Sequence, residues 1–349
     1  MRKDAAEIDI AKFKSFKRAP IRLSQESLVK TGYFCRDRQF PLVMTPNVQG
    51  LDLITWAANN SELIEGKLLR HGAIVFRDFS VDSITKFEQF AQAISPDLMQ
   101  YGERSSPRSK ISGGVYTSTD HPPDQQILLH NEQSYTLNWP MKIWFYCLQP
   151  AEEGGSTPIA DVRRIYRMLN PVIIEKFGRL QIMYVRNYGD GLGLPWEEVF
   201  QTEDKAAVEK HCRDRNIKYE WKEGNRLRTR QVRPAIRRHP RTGDNLWFNH
   251  AIFFHLSSLD QKARESMLSV IREEDVPYNT FYGDGSSIEP EFLDEIREAY
   301  RSETVSFPWK RGDILMLDNM LTAHGRESFT GSRRILVAMA EPFNTNANA

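Results

Sequence analysis

Short apolar runs and amphipathic stretches succeed one another along most of the chain, and their periods separate strands from helices. Residues 51–69 have helical spacing, with Leu63, Leu68 and Leu69 on one side. His71-Gly72 ends that helix, and the continuous run Ala73–Phe76 (AIVF) predicts a buried strand. Ile84, Phe87, Phe90, Ala91 and Ile94 recur at helical intervals across residues 83–94. The aromatic run 141–148 predicts a strand, and the turn Glu153-Gly154-Gly155 leads into 156–159. Asp161 predicts a helix cap, its helix running to Asn170, and Pro171 starts another. Residues 180–188 are strand-like. Thr202-Glu203-Asp204 opens a helix to about Cys212, its acids suited to the positive end of the dipole. From 218 to 255 the signals are β, with a hairpin turn at Arg241-Thr242-Gly243-Asp244. Residues 259–273 and 291–300 read as helices; 312–317 and 335–340 read as strands joined through Thr330-Gly331-Ser332.

Strands toward both ends with helices between them suit a mixed α and β fold, a β-barrel or jelly-roll core decorated with helices. Residues 1–45 mix charge with Pro20 and Pro41 and show little periodicity, so they are expected to form an extended N-terminal arm over the domain. Neither an internal repeat nor a low-complexity linker divides the chain, and 1–349 is taken as a single domain. The glycines and prolines from Gly102 to Pro123 predict a long loop ahead of His130, of the kind that closes over a ligand.

Composition narrows the class. Forty per cent hydrophobic and 11 per cent aromatic residues indicate a globular protein, and a net charge of +1 gives no reason to expect nucleic acid or an anionic membrane as partner. Residues 226–241 are basic and 289–298 acidic, runs that ordinarily form solvated faces. Cys35, Cys147 and Cys212 are widely spaced and odd in number, which fits a reducing cytoplasm rather than a disulfide framework. Cys147 sits in an apolar run and reads as a small buried hydrophobe. No stretch reaches the roughly 18 apolar residues of a membrane span.

Against that background a few polar residues stand out. His130-Asn131-Glu132 is an H-x-E step at the start of the aromatic run. On a strand, residues two apart share a face, so the imidazole and carboxylate would converge while Asn131 faces away. A third metal ligand must come from elsewhere, and His324, after the strand 312–317, is the obvious donor. Two histidines and a carboxylate leave positions open on a metal, the arrangement associated with non-haem Fe(II) oxygenases. Arg333 and Arg334 follow at the head of the strand 335–340, where a buried guanidinium would fix a carboxylate. Thr157, after Gly154-Gly155-Ser156, could add a hydroxyl to the same carboxylate.

The order of these pieces resembles the taurine dioxygenase-like (TauD/TfdA) family of Fe(II)/2-oxoglutarate-dependent oxygenases. The similarity runs through GAIVFRDF, SPRSKISGGVYTSTDHP, HNEQSY, FYCLQPAEEGGSTPIADVR, HPRTGDNLWFNHAIFFH and GDILMLDNMLTAHGRESFTGSRRILVAM. The resemblance implies a double-stranded β-helix (jelly-roll) core with flanking helices. It implies iron held by His130, Glu132 and His324, and the distal carboxylate of 2-oxoglutarate held by Thr157 and one of Arg333 and Arg334. The step Gly331-Ser332-Arg333 favours Arg333, although the spacing in some members favours Arg334; adjacent residues on a strand leave opposite faces, so only one enters the barrel. The cofactor is then Fe(II), and 2-oxoglutarate and O2 are cosubstrates. Better-known members often carry Asp where this chain has Glu132, and related halogenases lack that carboxylate, so halogenation is disfavoured. YTSTDHP and GGSTPIADVR look most like hydroxylases that tailor amino acids, free or carrier-protein-bound, in specialised metabolism.

The same oxygenase site could instead perform desaturation, epimerisation or another oxidative outcome. A zinc hydrolase is the nearest rival, since His2Glu also binds catalytic zinc, but the helical H-E-x-x-H motif is absent. A barrel that binds without catalysing is the rival from another class. Arg104, Arg108, Asn131, His250 and His255 are polar candidates for the substrate pocket, each with an ordinary structural reading beside it; neither substrate nor oligomeric state follows from the sequence.

Overall fold

In the computed structural model the described residues are 25–34, 37–100, 109–119, 121–189, 191 and 193–345. Asn138–Gln149 runs through the middle of an eight-stranded sheet, between Ile314–Asp318 on one side and Arg334–Asn344 on the other, antiparallel to both. The order continues outward through Ala73–Phe76, Leu42–Pro46 and Val29–Gly32 at one edge, and through Val115–Thr117 and Lys110–Ser112 at the other. A three-stranded sheet, Ile127–His130, Thr322–Arg326 and Ile159–Asp161, forms the smaller β layer. With helices packed around the β layers this is the double-stranded β-helix (jelly-roll) core expected from the sequence.

The central strands read as unbroken apolar runs because both of their faces are buried. Trp144, Tyr146, Ile314, Met316, Leu336 and Ala338 turn toward the helices of residues 53–94. Their neighbours Ile143, Phe145, Cys147, Leu315, Leu317, Ile335 and Val337 turn inward with Ile159, Phe307 and Trp309. Burial, and next the Asp313 carboxylate, pushes the Cys147 thiol up to about 12, in keeping with a buried hydrophobe.

Several elements form where the pattern placed them. Ala73–Phe76 has the expected bounds. Ser83 caps Ile84–Ile94, Asp161 caps Val162–Met168, and Asn170 followed by Pro171 starts Pro171–Leu180. Other expectations need correction. Within the stretch 1–45, residues up to 24 lie outside the described region, but Val29–Gly32 and Leu42–Pro46 pair with each other, and the second lies parallel to Ala73–Phe76. This part is therefore integral to the large sheet rather than an arm laid over it. The predicted helix 51–69 is two helices, Leu53–Asn59 and Ser61–His71. Asn60 separates them, its side-chain amide turned back to the carbonyl of Trp56 at 2.7 Å. The expected loop before His130 contains the hairpin Lys110–Ser112 and Val115–Thr117, so less of it is free to move than its glycines suggested. The end of the predicted β region, 248–255, is turns, and Tyr278–Tyr282, which the pattern missed, pairs with Ile182–Tyr188.

Arg77 and Asp313 tie two neighbouring strands together inside the protein. Nη2 of Arg77 lies 2.5 Å from Asp313 Oδ2, its Nε reaches both carboxylate oxygens at 3.1 Å, and the Asp313 side chain is 1% exposed. Asp313→Ala leaves that guanidinium buried without its partner and is expected to cost about 3–5 kcal/mol of stability. Chemical denaturation measures the loss; one below about 1 kcal/mol would place the pair with surface ion pairs. No helix among the described residues is long and apolar enough to cross a membrane.

Candidate active site

His130 ends the strand Ile127–His130, and His324 stands at the centre of Thr322–Arg326. The two are direct partners across the antiparallel ladder, with ring centroids 4.6 Å apart. Glu132 reaches them differently from the expectation. The strand stops at His130, and Glu132 lies in the turn that follows, so it is the turn and not the strand pleat that brings the carboxylate round. That turn is held by Asn319, fully buried between Ile314–Asp318 and Thr322–Arg326. The Asn319 side chain accepts from the backbone N–H of Glu132 at 2.8 Å and donates to the carbonyls of Glu132 and Pro140, each at 2.9 Å. Asn131 completes the clamp by donating to the Asn319 carbonyl at 2.6 Å. Sequence reasoning missed Asn319, though a polar Asp-Asn pair interrupting the buried run GDILMLDNM was the available signal.

One donor atom from each of His130, Glu132 and His324 falls within 4.8 Å of the others. The His130 Nδ1–H donates to the Leu128 carbonyl at 2.9 Å, which leaves the Nε2 lone pair for a metal. Phe145 packs against the His324 ring at 5.0 Å between centroids. Two imidazole nitrogens and a carboxylate oxygen converging on one small volume fit non-haem Fe(II), whose preferred ligands these are.

A second donor group lies in the same cavity. Arg333 donates through Nε to the Gly155 carbonyl at 2.8 Å and through Nη2 to Thr157 Oγ1 at 3.4 Å. Burial, with Arg326 adding repulsion, holds the Arg333 guanidinium down at about 10, still protonated at neutral pH. Trp309, another residue the sequence did not flag, donates its indole N–H to the same Thr157 oxygen at 3.1 Å. With two donors on its lone pairs, the Thr157 hydroxyl can present its own proton to an acceptor in the cavity. Gly155 has φ +69, and a Cβ there would meet Arg333 Cδ at 3.0 Å, so the glycine is needed for both backbone and close approach. Arg334, the first residue of Arg334–Asn344, is exposed, and Arg333 lies just ahead of that strand.

The cavity encloses about 460 Å³. His130, His324, Phe145, Thr157 and Arg333 line it together with Ser118, Thr119, His121, Gln125 and Gln126 from the loop ahead of His130. Arg326, two residues beyond His324, fastens that loop by donating to the carbonyls of His121 at 2.8 Å, of Gln125 at 2.6 Å and of Pro122. Of the polar candidates for substrate contact, His255 borders the cavity. His250 is sealed behind it, 2% exposed, with Nδ1 2.6 Å from Ser134 Oγ. Burial, followed by the charges of His130 and Arg186, pushes the His250 imidazole well below the ordinary histidine range. Asn131 is fully buried, its amide nitrogen donating to the Asn319 carbonyl, and Arg104 and Arg108 lie outside the described residues.

Residues 38–339 match the family model described as "Taurine catabolism dioxygenase TauD, TfdA family". The dapdiamide synthesis protein DdaC of Enterobacter agglomerans is 38% identical over 284 residues, covering 81% of this chain and 86% of that protein. A clavaminate synthase-like protein of Arabidopsis thaliana is 27% identical over 322 residues, covering 87% and 94%. Among solved structures, PvcB of Pseudomonas aeruginosa, described as an Fe, alpha-ketoglutarate dependent oxygenase from an isonitrile synthetic pathway, superposes with a TM-score of 0.52 at 16% identity. That superposition covers 87% of this chain and 88% of PvcB and shows a shared fold.

Proposed function

The chain belongs to the TauD/TfdA family and is an Fe(II)- and 2-oxoglutarate-dependent dioxygenase, and from that premise we propose that it hydroxylates an unactivated C–H of a small amino-acid-like molecule, free or carrier-bound, in natural-product biosynthesis. The observation that carries this reading is the convergence of the His130, Glu132 and His324 donor atoms, the two histidines lining one cavity with Thr157 and Arg333.

In this reading His130 Nε2, the Glu132 carboxylate and a ring nitrogen of His324 hold Fe(II). Arg333 and the Thr157 hydroxyl hold the far carboxylate of 2-oxoglutarate by charge-assisted bonds. When bound, Fe(II) with 2-oxoglutarate and O2 supplies the oxidising power for C–H cleavage. The protein's own part is to orient and to exclude water, for which Phe145, Phe253 and Leu256 furnish apolar wall. Glu132 occupies the position that halogenases leave for chloride, which favours hydroxylation. The name of the DdaC relative, a dapdiamide synthesis protein, supports a place in specialised metabolism. The reading takes 1–349 as a single oxygenase domain, in the cytoplasm, where the free thiols of Cys147 and Cys212 would stay reduced.

Purified enzyme with Fe(II), 2-oxoglutarate and O2 is to be offered free and carrier-tethered amino acids, with products weighed by mass spectrometry. A product one oxygen atom heavier than its substrate, formed as 2-oxoglutarate is lost, is expected. A product two hydrogens lighter would replace hydroxylation with desaturation. Absence of any iron-dependent consumption of 2-oxoglutarate would remove the oxygenase reading itself.

A further inference from the structure

One histidine of the cavity wall has a hydrogen-bond arrangement that fixes its tautomer. His255 precedes the short helix Leu256–Ser258, and its Nδ1 accepts from the Ser257 backbone N–H at 3.1 Å. The Ser257 hydroxyl lies 2.7 Å from the same nitrogen. That hydroxyl itself receives an N–H from Arg297, and a guanidinium can only donate. The Ser257 backbone N–H can only donate as well, so Nδ1 is the bare, accepting nitrogen, and the hydroxyl turns its proton to it. The ring's own proton must sit on Nε2, where no described residue takes it. Burial, reinforced by the charges of Arg297 on one neighbouring helix and Arg264 on another, lowers the imidazole to about 4, consistent with a neutral ring.

The neighbouring lining is mostly apolar, with Phe253, Leu256, Leu259, Met267 and Pro277, beside the hydroxyl-bearing Ser258 and Tyr278. Among the described residues the charged side chains lining the cavity are Arg326 and Arg333, and both are held elsewhere, at 121–125 and at Gly155 and Thr157. No described aspartate or glutamate lines it. A free ammonium placed beside His255 would find a donor and, among the described lining residues, no anion. A carboxylate there would exchange water for one neutral N–H, a poor return for burying a charge. An uncharged carbonyl requires only the single donor that is offered.

We propose that His255 is a substrate-recognition residue whose Nε2–H donates to an uncharged acyl carbonyl, an amide or a thioester. The substrate is accordingly an acylated amino-acid derivative, not the free zwitterion. This rests on the oxygenase reading of the same cavity and narrows its substrate class.

Two measurements test it on the full-length protein. Histidine-selective ¹⁵N NMR of the ligand-free protein should show His255 protonated at Nε2 and bare at Nδ1; a ring protonated at Nδ1, or at both nitrogens at neutral pH, overturns the proposal. Anaerobic calorimetry with Fe(II) and 2-oxoglutarate then compares free amino acids with their N-acetyl amides and their pantetheine thioesters. The best acylated probe should bind about tenfold or more tighter than its parent amino acid. His255→Phe should erase that preference, and His255→Gln, which keeps an N–H donor, should restore part of it. Whichever probe series binds tighter identifies the carbonyl as amide or thioester. If no acylated probe outbinds its parent, or if His255→Phe keeps the preference, His255 does not read the substrate. Failure of the wild-type protein to bind 2-oxoglutarate with Fe(II) would instead sink the oxygenase reading, while the NMR result would stand independently.

Discussion

Alanine at His130, Glu132 or His324 is expected to abolish 2-oxoglutarate turnover while leaving the fold largely intact. Loss of an outer-shell partner commonly costs about 10–100-fold in metal affinity or activity, and removal of a direct ligand should exceed that. The fold should survive because, apart from the His130 bond to the Leu128 carbonyl and the packing of Phe145 on His324, the local supports run through backbone groups. Asn319 grips the Glu132 turn by its backbone N–H and carbonyl, which Glu132→Ala keeps. His130 and His324 pair through the strand backbone, which is likewise unchanged. Bound iron and succinate formation, measured on each variant beside its circular dichroism, make the test. Near-native turnover in any one variant would remove that residue from the metal site.

The second large effect separates two adjacent arginines. Arg333→Ala takes the cation from the cavity, and breaking a buried charge pair costs about 3–5 kcal/mol. The dissociation constant for 2-oxoglutarate should then rise by roughly a hundredfold to several thousandfold. Arg334 is exposed, and Arg334→Ala should change it by about fivefold at most. Anaerobic titration of 2-oxoglutarate with Fe(II) present reads both variants. A large loss confined to Arg334→Ala would reverse the assignment, and native affinity in both would eliminate the carboxylate anchor. The wild-type contact also predicts a pH limit. Burial lowers the Arg333 guanidinium to about 10, so its share of binding is full at neutral pH and declines as pH rises through that value.

Much of the architecture was legible because the signals that specify it are local. Ala73–Phe76 and the run through Trp144 and Phe145 stand out because strands covered on both faces carry no polar positions. Asp161 announced its helix because a cap acts on backbone groups two or three residues away, and Pro171 announced the next because its fixed φ suits a first helical turn. Tyr278–Tyr282 escaped because its buried Asn279 and Thr280 hide a strand among polar residues. The helix break at Asn60 escaped because helical spacing continues across it.

The sequence by itself determined the types of the candidate ligands, their order along the chain, and the pair, Arg333 and Arg334, from which the inward arginine comes. Residue chemistry and position along the chain suffice for these. Only the tertiary structure decided that His324 lies directly across from His130, because ladder register is set by which apolar faces are buried, and no local feature of either segment records it. Only it showed that Glu132 arrives from a turn clamped by Asn319, and that Trp309 stands on Thr157. It also decided which arginine faces inward. Arg333 lies just ahead of the strand Arg334–Asn344 and is drawn in by the Gly155 carbonyl and Thr157, contacts that depend on how the whole fold brings residues 155–157 beside it.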